Sequence, residues 1–416
     1  MPTPRSLTAL ACVVALAAGV AACGDQTPKA KVLRGTVIKL PPGDPRPLGR
    51  ADTAFGFGLV SSWCGTDPNA NIVLSPSSVA SGLGMAYQGA RGRTATAMAR
   101  TLHLPPGDLL PGLRARTSEM RSLGDKKVSV KVSDQIWANT RVRTNTDYLD
   151  RLATGYDAGL KTLDFSNKPE DARKAINAQI KKDTGGKIPE LLPKDKIRGD
   201  TGWILTDAVH LKAEWQTKFG SAGTDRFTTA GGRTVQAKLM ENKSRFGYAR
   251  TAGWTAVDLP YSGGRLSMTA LLPDATTHGC PKLTAATFDR LTTTLDMGTD
   301  VEIVMPKVNL SSNTELAPLL TRMGMGIAFT EGADLSGISP QADKIGFVQH
   351  AATLTVDEKG TEGAAATAVG IGATGAPAPT TKKIEVVFDR PYLMVVRDTK
   401  TGEPFFMARV ADPTRQ

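Results

Sequence analysis

Histidine and cysteine are scarce in this chain, with four of each among 416 residues. His103, His210, His278 and His350 form no His-Glu-x-x-His pair, and the cysteines form no Cys-x-x-Cys pair. Those spacings bring ligands together around zinc, so a zinc site has no support. Gly-x-Ser-x-Gly and Ser-x-x-Lys are also missing, which disfavours the common exported serine hydrolases and penicillin-binding enzymes. No glycine-rich loop leads into a Lys-Ser or Lys-Thr pair that would cradle phosphate. Aromatic residues make up 6 % of the chain and are not interleaved with basic ones, so a stacking platform for nucleic acid is not expected. Carboxylates are scattered and none is singled out as half of an acid–base pair. Neither catalysis nor a cofactor is expected.

What is present begins with charge. The net charge of +11 favours contact with anionic partners such as phospholipid head groups or wall polymers. Between Arg91 and Lys131 lie Arg93, Arg100, Arg114, Arg116, Arg121, Lys126 and Lys127, against Asp108, Glu119 and Asp125. This stretch is a candidate surface for an anionic polymer, although charge runs commonly form only a solvated face.

The first residues read as an export signal. Arg5 precedes an apolar run from Leu7 to Ala22, too short and too rich in alanine for a comfortable membrane span. The run ends Val20-Ala21-Ala22-Cys23, which resembles the lipobox of bacterial lipoproteins; an ordinary secretory signal beside a chance cysteine is the alternative. Residues 1–22 are thus read as a lipoprotein signal peptide and Cys23 as the lipidated first residue of the mature chain. Residues 23–49 carry Pro28, Pro41, Pro42, Pro45 and Pro47 with little apolar periodicity, and read as a flexible tether holding a domain off the outer face of the cell membrane. Cys12 leaves with the signal. Export permits a bond between Cys64 and Cys280, but separation in sequence does not give separation in space, so their pairing stays open.

Residues 50–416 show no second linker and no repeat. Helical patterns fall at 51–64, 76–101, 146–159, 169–183 and 313–323, with Asp52, Ser75 and Asn313 where N-caps belong. Strand-like runs fall at 128–138, 203–211, 266–272, 301–308 and 384–396. Helices first, then long strands with interspersed helices, indicate one α+β domain with a large sheet. Residues 360–383 interrupt this order with a run of small residues between two strand patterns. Loops of that length inside a compact domain are normally functional or disordered.

Several separated segments resemble the serpin family of serine protease inhibitors. They are Asn71-Ile-Val-Leu-Ser75-Pro76-Ser-Ser78, Ile176-Asn177 with Thr184-x-Gly186-Lys187-Ile188, and Leu205-Thr-Asp207-Ala208-Val-His-Leu211-Lys212-Ala213-x-Trp215. Met305-Pro306-Lys307, His350-x-Ala352, Val356-Asp357-Glu358-Lys359-Gly360-Thr361-Glu362-Gly363-Ala364-Ala365-Ala366-Thr367, Phe388-x-x-Pro391-Tyr392 and Phe406-Met407-x-Arg409 follow in family order. The matches run from about residue 50 to residue 414. Three departures stand out: Asp207 where the family usually has Asn, Gly363 where it often has Ala, and Tyr392 in place of Phe.

The resemblance implies a single three-sheet domain with about nine helices and an exposed reactive-centre loop at about 358–383. It implies a suicide-type inhibitor in which a protease attacks the loop, forms an acyl-enzyme and is trapped as the loop inserts into the main sheet. By count from Glu358 the bait bond is Thr374–Gly375, and its small neighbours suit an elastase-like or subtilisin-like serine protease. The hinge is Glu358 to Thr367. Ser75, Ser78, Asp207 and His350 are implied as the shutter, with Trp215 and Lys307 at the breach above it. Asp207 is expected to bond His350 and ease its protonation, and Glu358 to pair with Lys307. The alternative is a non-inhibitory serpin acting as a cell-surface binding or scaffold protein. That reading predicts proline or charge in the hinge, and no proline interrupts 359–374. The molecule is expected to be a monomer whose partner is its target protease.

Overall fold

The computed structural model describes residues 28–415 apart from 42, 124–126, 252, 275–279, 281 and 362–382. The first half of the chain carries β1 (Lys31–Leu33), α1 (Arg46–Cys64), β2 (Ile72–Leu74), α2 (Pro76–Tyr87), α3 (Gly92–Thr101), α4 (Leu110–Arg121), β3 (Val128–Asn139), α5 (Thr146–Tyr156), β4 (Leu160–Leu163) and α6 (Pro169–Asp183). Strands dominate the remainder: β5 (Trp203–Glu214), β6 (Gly220–Thr228), β7 (Thr234–Arg245), β8 (Gly247–Thr251), β9 (Trp254–Pro260) and β10 (Leu266–Pro273). After α7 (Ala285–Thr293) come β11 (Asp300–Pro306), β12 (Val308–Glu315), α8 (Ala317–Leu320), β13 (Ile345–Asp357), β14 (Gly360–Thr361), β15 (Lys383–Val387), β16 (Tyr392–Asp398) and β17 (Pro404–Val410). The fold is α+β, with eight α-helices among the described residues.

Three sheets hold the molecule together. The largest has seven strands in the order β1-β4-β3-β5-β14-β13-β12, and β5 also pairs directly with β13. The second is β2-β17-β16-β10-β9-β8 and the third β15-β11-β7-β6. Residues Trp203 to Leu211 of β5 are buried on both faces, which is why the segment reads as a nearly unbroken apolar run. Helix α6 covers one face of the large sheet through Ile176 and Ile180, packed with Trp137, Ile204, Ala208 and Phe347. The other face rests on α1 and α2, where Phe55, Leu59, Val79 and Leu83 meet Ile136, Leu205 and Val348.

Sequence patterns that ran continuously are cut at particular residues. The 76–101 helix is two helices, because Gly89 lies against Ile338, where a Cβ would come within 2.1 Å, and Gly92 turns the chain at φ +50°. The 301–308 and 384–396 runs each divide at a proline into strands of different sheets. Asn313 is not an N-cap: it lies in β12 and donates to the Leu191 carbonyl at 3.0 Å. Asp52 is likewise inside α1, buried against Arg116 at 3.0 Å. Ser75 does cap its helix, accepting from the Ser78 N–H, with Pro76 in the first turn.

The tether reading of residues 23–49 is corrected over most of its length. Lys31–Leu33 pairs with Leu160–Thr162 at the edge of the large sheet. Asp150 Oδ1 accepts from the Thr36 N–H at 2.6 Å and Thr154 Oγ1 from the Ile38 N–H at 2.9 Å, and α1 already starts at Arg46. Backbone hydrogen bonds order a stretch that has few apolar side chains to bury. Cys64 and Cys280 are bonded, tying the end of α1 to the approach to α7 across 216 residues. No helix among the described residues is long and apolar enough to cross a membrane.

Candidate functional site

The large sheet is not uniformly closed along its centre. β5 and β13 run parallel and pair from Trp203 with Ile345 to Val209 with Ala352. Beyond that point the two-residue strand β14 stands between them, with Thr361 opposite Ala213 and Val356, and Gly360 opposite Glu214 and Asp357. The first residues of the long small-residue loop are thus already a strand of the sheet.

Each hinge residue has a physical reason for its place. Asp357 Oδ1 accepts from the Lys359 N–H at 2.8 Å and the Gly360 N–H at 3.2 Å, forming the turn that feeds β14. Gly360 passes so close to β5 that a Cβ would lie 2.0 Å from the Ala213 carbonyl oxygen. The Trp215 and Phe219 N–H groups donate to the Lys359 and Glu358 carbonyls at 3.0 and 2.9 Å. The Trp215 indole donates to the Asp357 carbonyl at 2.8 Å and stacks on Tyr261 with centroids 4.5 Å apart. Tyr261 in turn shares a 2.6 Å hydroxyl–hydroxyl bond with Thr361, whose side chain is buried. Lys307 Nζ reaches Glu358 Oε1 at 2.8 Å, and both side chains are about two-thirds covered. Partial burial would raise the Glu358 carboxyl, but the Lys307 hydrogen bond and charge bring it below its ordinary value.

Deeper in the seam the structure brings Ser75, Ser78, Asp207 and His350 into one buried cluster. The bond expected between Asp207 and His350 is not formed. His350 Nε2 accepts from the Ser75 N–H at 3.2 Å, and neither carboxyl oxygen of Asp207 has a hydrogen-bond partner. Burial holds His350 down to about 3, against a small opposing effect of the Asp207 backbone, so this imidazole resists protonation. Asp207 is pushed well up by burial and by Asp134, its partner in register on β3. A protonated carboxyl is neutral and planar and offers one donor and one acceptor, much as an amide does. Burial thus favours the neutral form of Asp207, at the position where the family usually has Asn.

Two participants were not singled out from the sequence. Tyr261 meets Thr361 from 100 residues away. Asp134 was more readable: it interrupts the strand pattern VSVKVSDQIWA with a carboxylate. Burial raises it to about 7, with Ser78, Arg116 and Ser81 opposing, and the Ser78 hydroxyl donates to it. His350, Asp207 and Asp134 thus lie in adjacent register on β13, β5 and β3.

The basic stretch at 91–131 is less continuous in space than in sequence. Arg116 is buried against Asp52 at 3.0 Å and Glu403 at 3.7 Å, and Arg121 pairs with Asp157. Arg93 and Arg100 remain exposed on α3 and Arg114 on α4. Cys23, the hinge residues Glu362, Gly363, Ala364, Ala365, Ala366 and Thr367, and the bait bond Thr374–Gly375 lie outside the described residues.

A main sheet parted at one end, with the start of a long loop seated in the gap, defines the class of proteins that carry their own additional strand. Residues 50–413 match the profile of Serpin (serine protease inhibitor), and the chain belongs to that family. It is 32 % identical over 380 residues to the leukocyte elastase inhibitor of Bos taurus, covering 88 % of this chain and 99 % of that protein. A serpin-like protein of Thermococcus kodakarensis is 31 % identical over 388 residues, covering 89 % and 87 %. The native thermophilic serpin tengpin shares the fold with a TM-score of 0.80 at 24 % identity, over 92 % of this chain and all of that one. The family is one of protease inhibitors and not of catalysts.

Proposed function

We propose that this chain is a single-use trap for an exported serine protease of elastase-like or subtilisin-like preference, carried on the outer face of the cell membrane by a lipid on Cys23. The observation that carries the trapping step is the hinge: β14 is seated between β5 and β13, and the sequence after it is small and free of proline up to Thr374. A strand so begun can lengthen, because each added residue contributes ladder hydrogen bonds of about 1 kcal/mol net and no proline removes a donor. The protease supplies the chemistry. Its serine attacks the Thr374 carbonyl, the Gly375 amine leaves with a proton, and an ester links the two proteins. Insertion from Gly360 to Thr374, 15 residues at about 3.3 Å each, would carry that ester about 50 Å along the sheet.

The relative named leukocyte elastase inhibitor favours a target with a small primary pocket. No Arg or Lys occurs between Lys359 and Lys382, which argues against trypsin-like enzymes. The exposed Arg93, Arg100 and Arg114 are candidate contacts for an anionic polymer that brings protease and inhibitor together. Incubation with a panel of elastase-like, subtilisin-like and trypsin-like proteases tests the reading. A complex that survives boiling in SDS is expected with the first two. Cleavage without any such complex across the panel overturns the trap in favour of a non-inhibitory serpin.

A further inference from the structure

We propose that the segment from Lys29 to Lys39 is a membrane-docking face, which lays the domain against an anionic lipid surface and keeps the bait-loop hinge at the far end of the main sheet. The inference rests on the lipidated Cys23 reading and corrects the tether that accompanied it.

The leash is short. Pro28 is five residues beyond Cys23, and β1 begins at Lys31. Five residues span at most about 17 Å when extended. An acyl chain on Cys23 therefore leaves the domain within reach of the head groups, and the part of the domain that meets them is the part nearest the leash.

That part has the required surface. Five large apolar side chains are exposed among the described residues, and three fall within seven positions here: Val32 at 48 %, Val37 at 50 % and Ile38 at 39 %. Lys29, Lys31 and Lys39 are exposed among them. The carboxylates nearby are already engaged: Asp44 with Arg46, Asp150 with the Thr36 N–H, and Asp157 with Arg34 and Arg121. Aliphatic side chains between uncompensated lysines suit the boundary between anionic head groups and acyl chains. The backbone of this strap is fixed to β4 and α5, so its contacts orient the whole domain.

The register shows where the hinge then stands. β1 pairs with Lys161, Lys161 is level with Trp137, and Trp137 is level with Ile204 on β5. Thr361 is level with Ala213 on the same strand. Nine residues of β5 separate the two points, about 30 Å along the sheet. The bait loop therefore leaves the sheet at the end away from the strap.

The test uses the mature chain with Cys23→Ser, which cannot be acylated, and 100-nm vesicles of phosphatidylcholine with or without about a third phosphatidylglycerol. We expect co-sedimentation with the anionic vesicles alone, weakened by salt. Binding should fall at least tenfold in Lys29→Glu/Lys31→Glu/Lys39→Glu and in Val37→Asp/Ile38→Asp. An environment-sensitive dye on Val37→Cys should brighten with anionic vesicles, while the same dye on Met297→Cys should not. Absence of binding, or binding untouched by both sets of substitutions, overturns the proposal. A dimer in sedimentation velocity that Val37→Asp abolishes would assign the face to a second copy and overturn it too. Mass spectrometry of the native N-terminus separately reports whether Cys23 is acylated, so the two readings fail independently.

Discussion

At the scale of single residues, the hinge depends on a hydroxyl pair. Thr361 is the first loop side chain to enter the sheet, and Tyr261 receives it at 2.6 Å beneath the Trp215 ring. A neutral bond of this kind contributes about 1 kcal/mol net, so its loss should leave the native fold intact. Tyr261→Phe should slow insertion while the first encounter with protease stays unchanged. The stoichiometry of inhibition should rise and the association rate hold. If both stay at wild-type values, Tyr261 only packs. The row Asp134, Asp207, His350 makes a second prediction, about pH. Asp134 titrates near 7 in the native state, above its ordinary range, so its contribution is present in acid and is lost as pH rises through 7. His350 is held at about 3, below its ordinary 6.5, so its contribution is full above 6.5 and is lost as pH falls toward 3. Between roughly pH 4 and 6.5 the two slopes oppose each other. Asp207 is raised in the same direction, by burial and by Asp134, so it adds to the decline. With two raised carboxyls against one lowered imidazole, stability in urea should fall as pH rises from about 4.5 to about 7. Asp134→Asn and Asp207→Asn should each flatten that fall. Stability that stays level over this range in the wild type would discard this account.

At the scale of elements, the pair most exposed to a single charge change joins β11–β12 to the hinge. Lys307 sits between those strands, and Glu358 in the turn before β14. Because both groups are largely covered, reversing one strands the other with a like charge, which costs more than the 0–1 kcal/mol of a surface pair. Glu358→Lys should loosen the turn and free the gap for a neighbouring molecule's loop, giving ladders of polymers on a native gel after mild heating. A variant that stays monomeric shows that the backbone bonds from Trp215 and Phe219 hold the hinge by themselves. The pair was legible in the sequence because the family motifs name both residues. β3, β5 and α6 were legible because their own apolar periods reveal them. β13 was not read as a strand, since Gln349, His350 and two threonines interrupt its apolar pattern. α4 was not read as a helix, since its first turn holds Pro111 and Gly112 and its one deeply buried polar residue, Arg116, is matched by Asp52 and Glu403 from elsewhere. β1 had no readable signal, because a three-residue edge strand is held by its partner's backbone. Such elements are fixed by contacts distant in sequence, and no local window contains them.

At the scale of the whole molecule, the trapping proposal puts the driving force in the strand the sheet has not yet completed. β5 and β13 are paired to Val209 and Ala352, and opening them admits the loop at the expense of that ladder. A full inserted strand would replace one ladder with two, so on this proposal the native state is held by kinetics rather than by depth of its minimum. How far the loop travels depends on where it is cut. A cut at Thr374 leaves 15 residues from Gly360, whereas a cut at Val369 or Ile371 shortens the inserting strand and should shift the balance toward release of active protease. The residues on either side of Thr374 are Ala373 and Gly375, slim enough for a cleft that admits small side chains. Discrimination among such side chains amounts to only about 1–3 kcal/mol per methylene, so more than one protease should be trapped. The peptide released when a trapped complex is denatured reports the cut directly. Its sequence should begin at Gly375. A stable complex whose peptide begins after Lys382 or Lys383 would move the bait bond to a basic residue and reassign the target to trypsin-like enzymes.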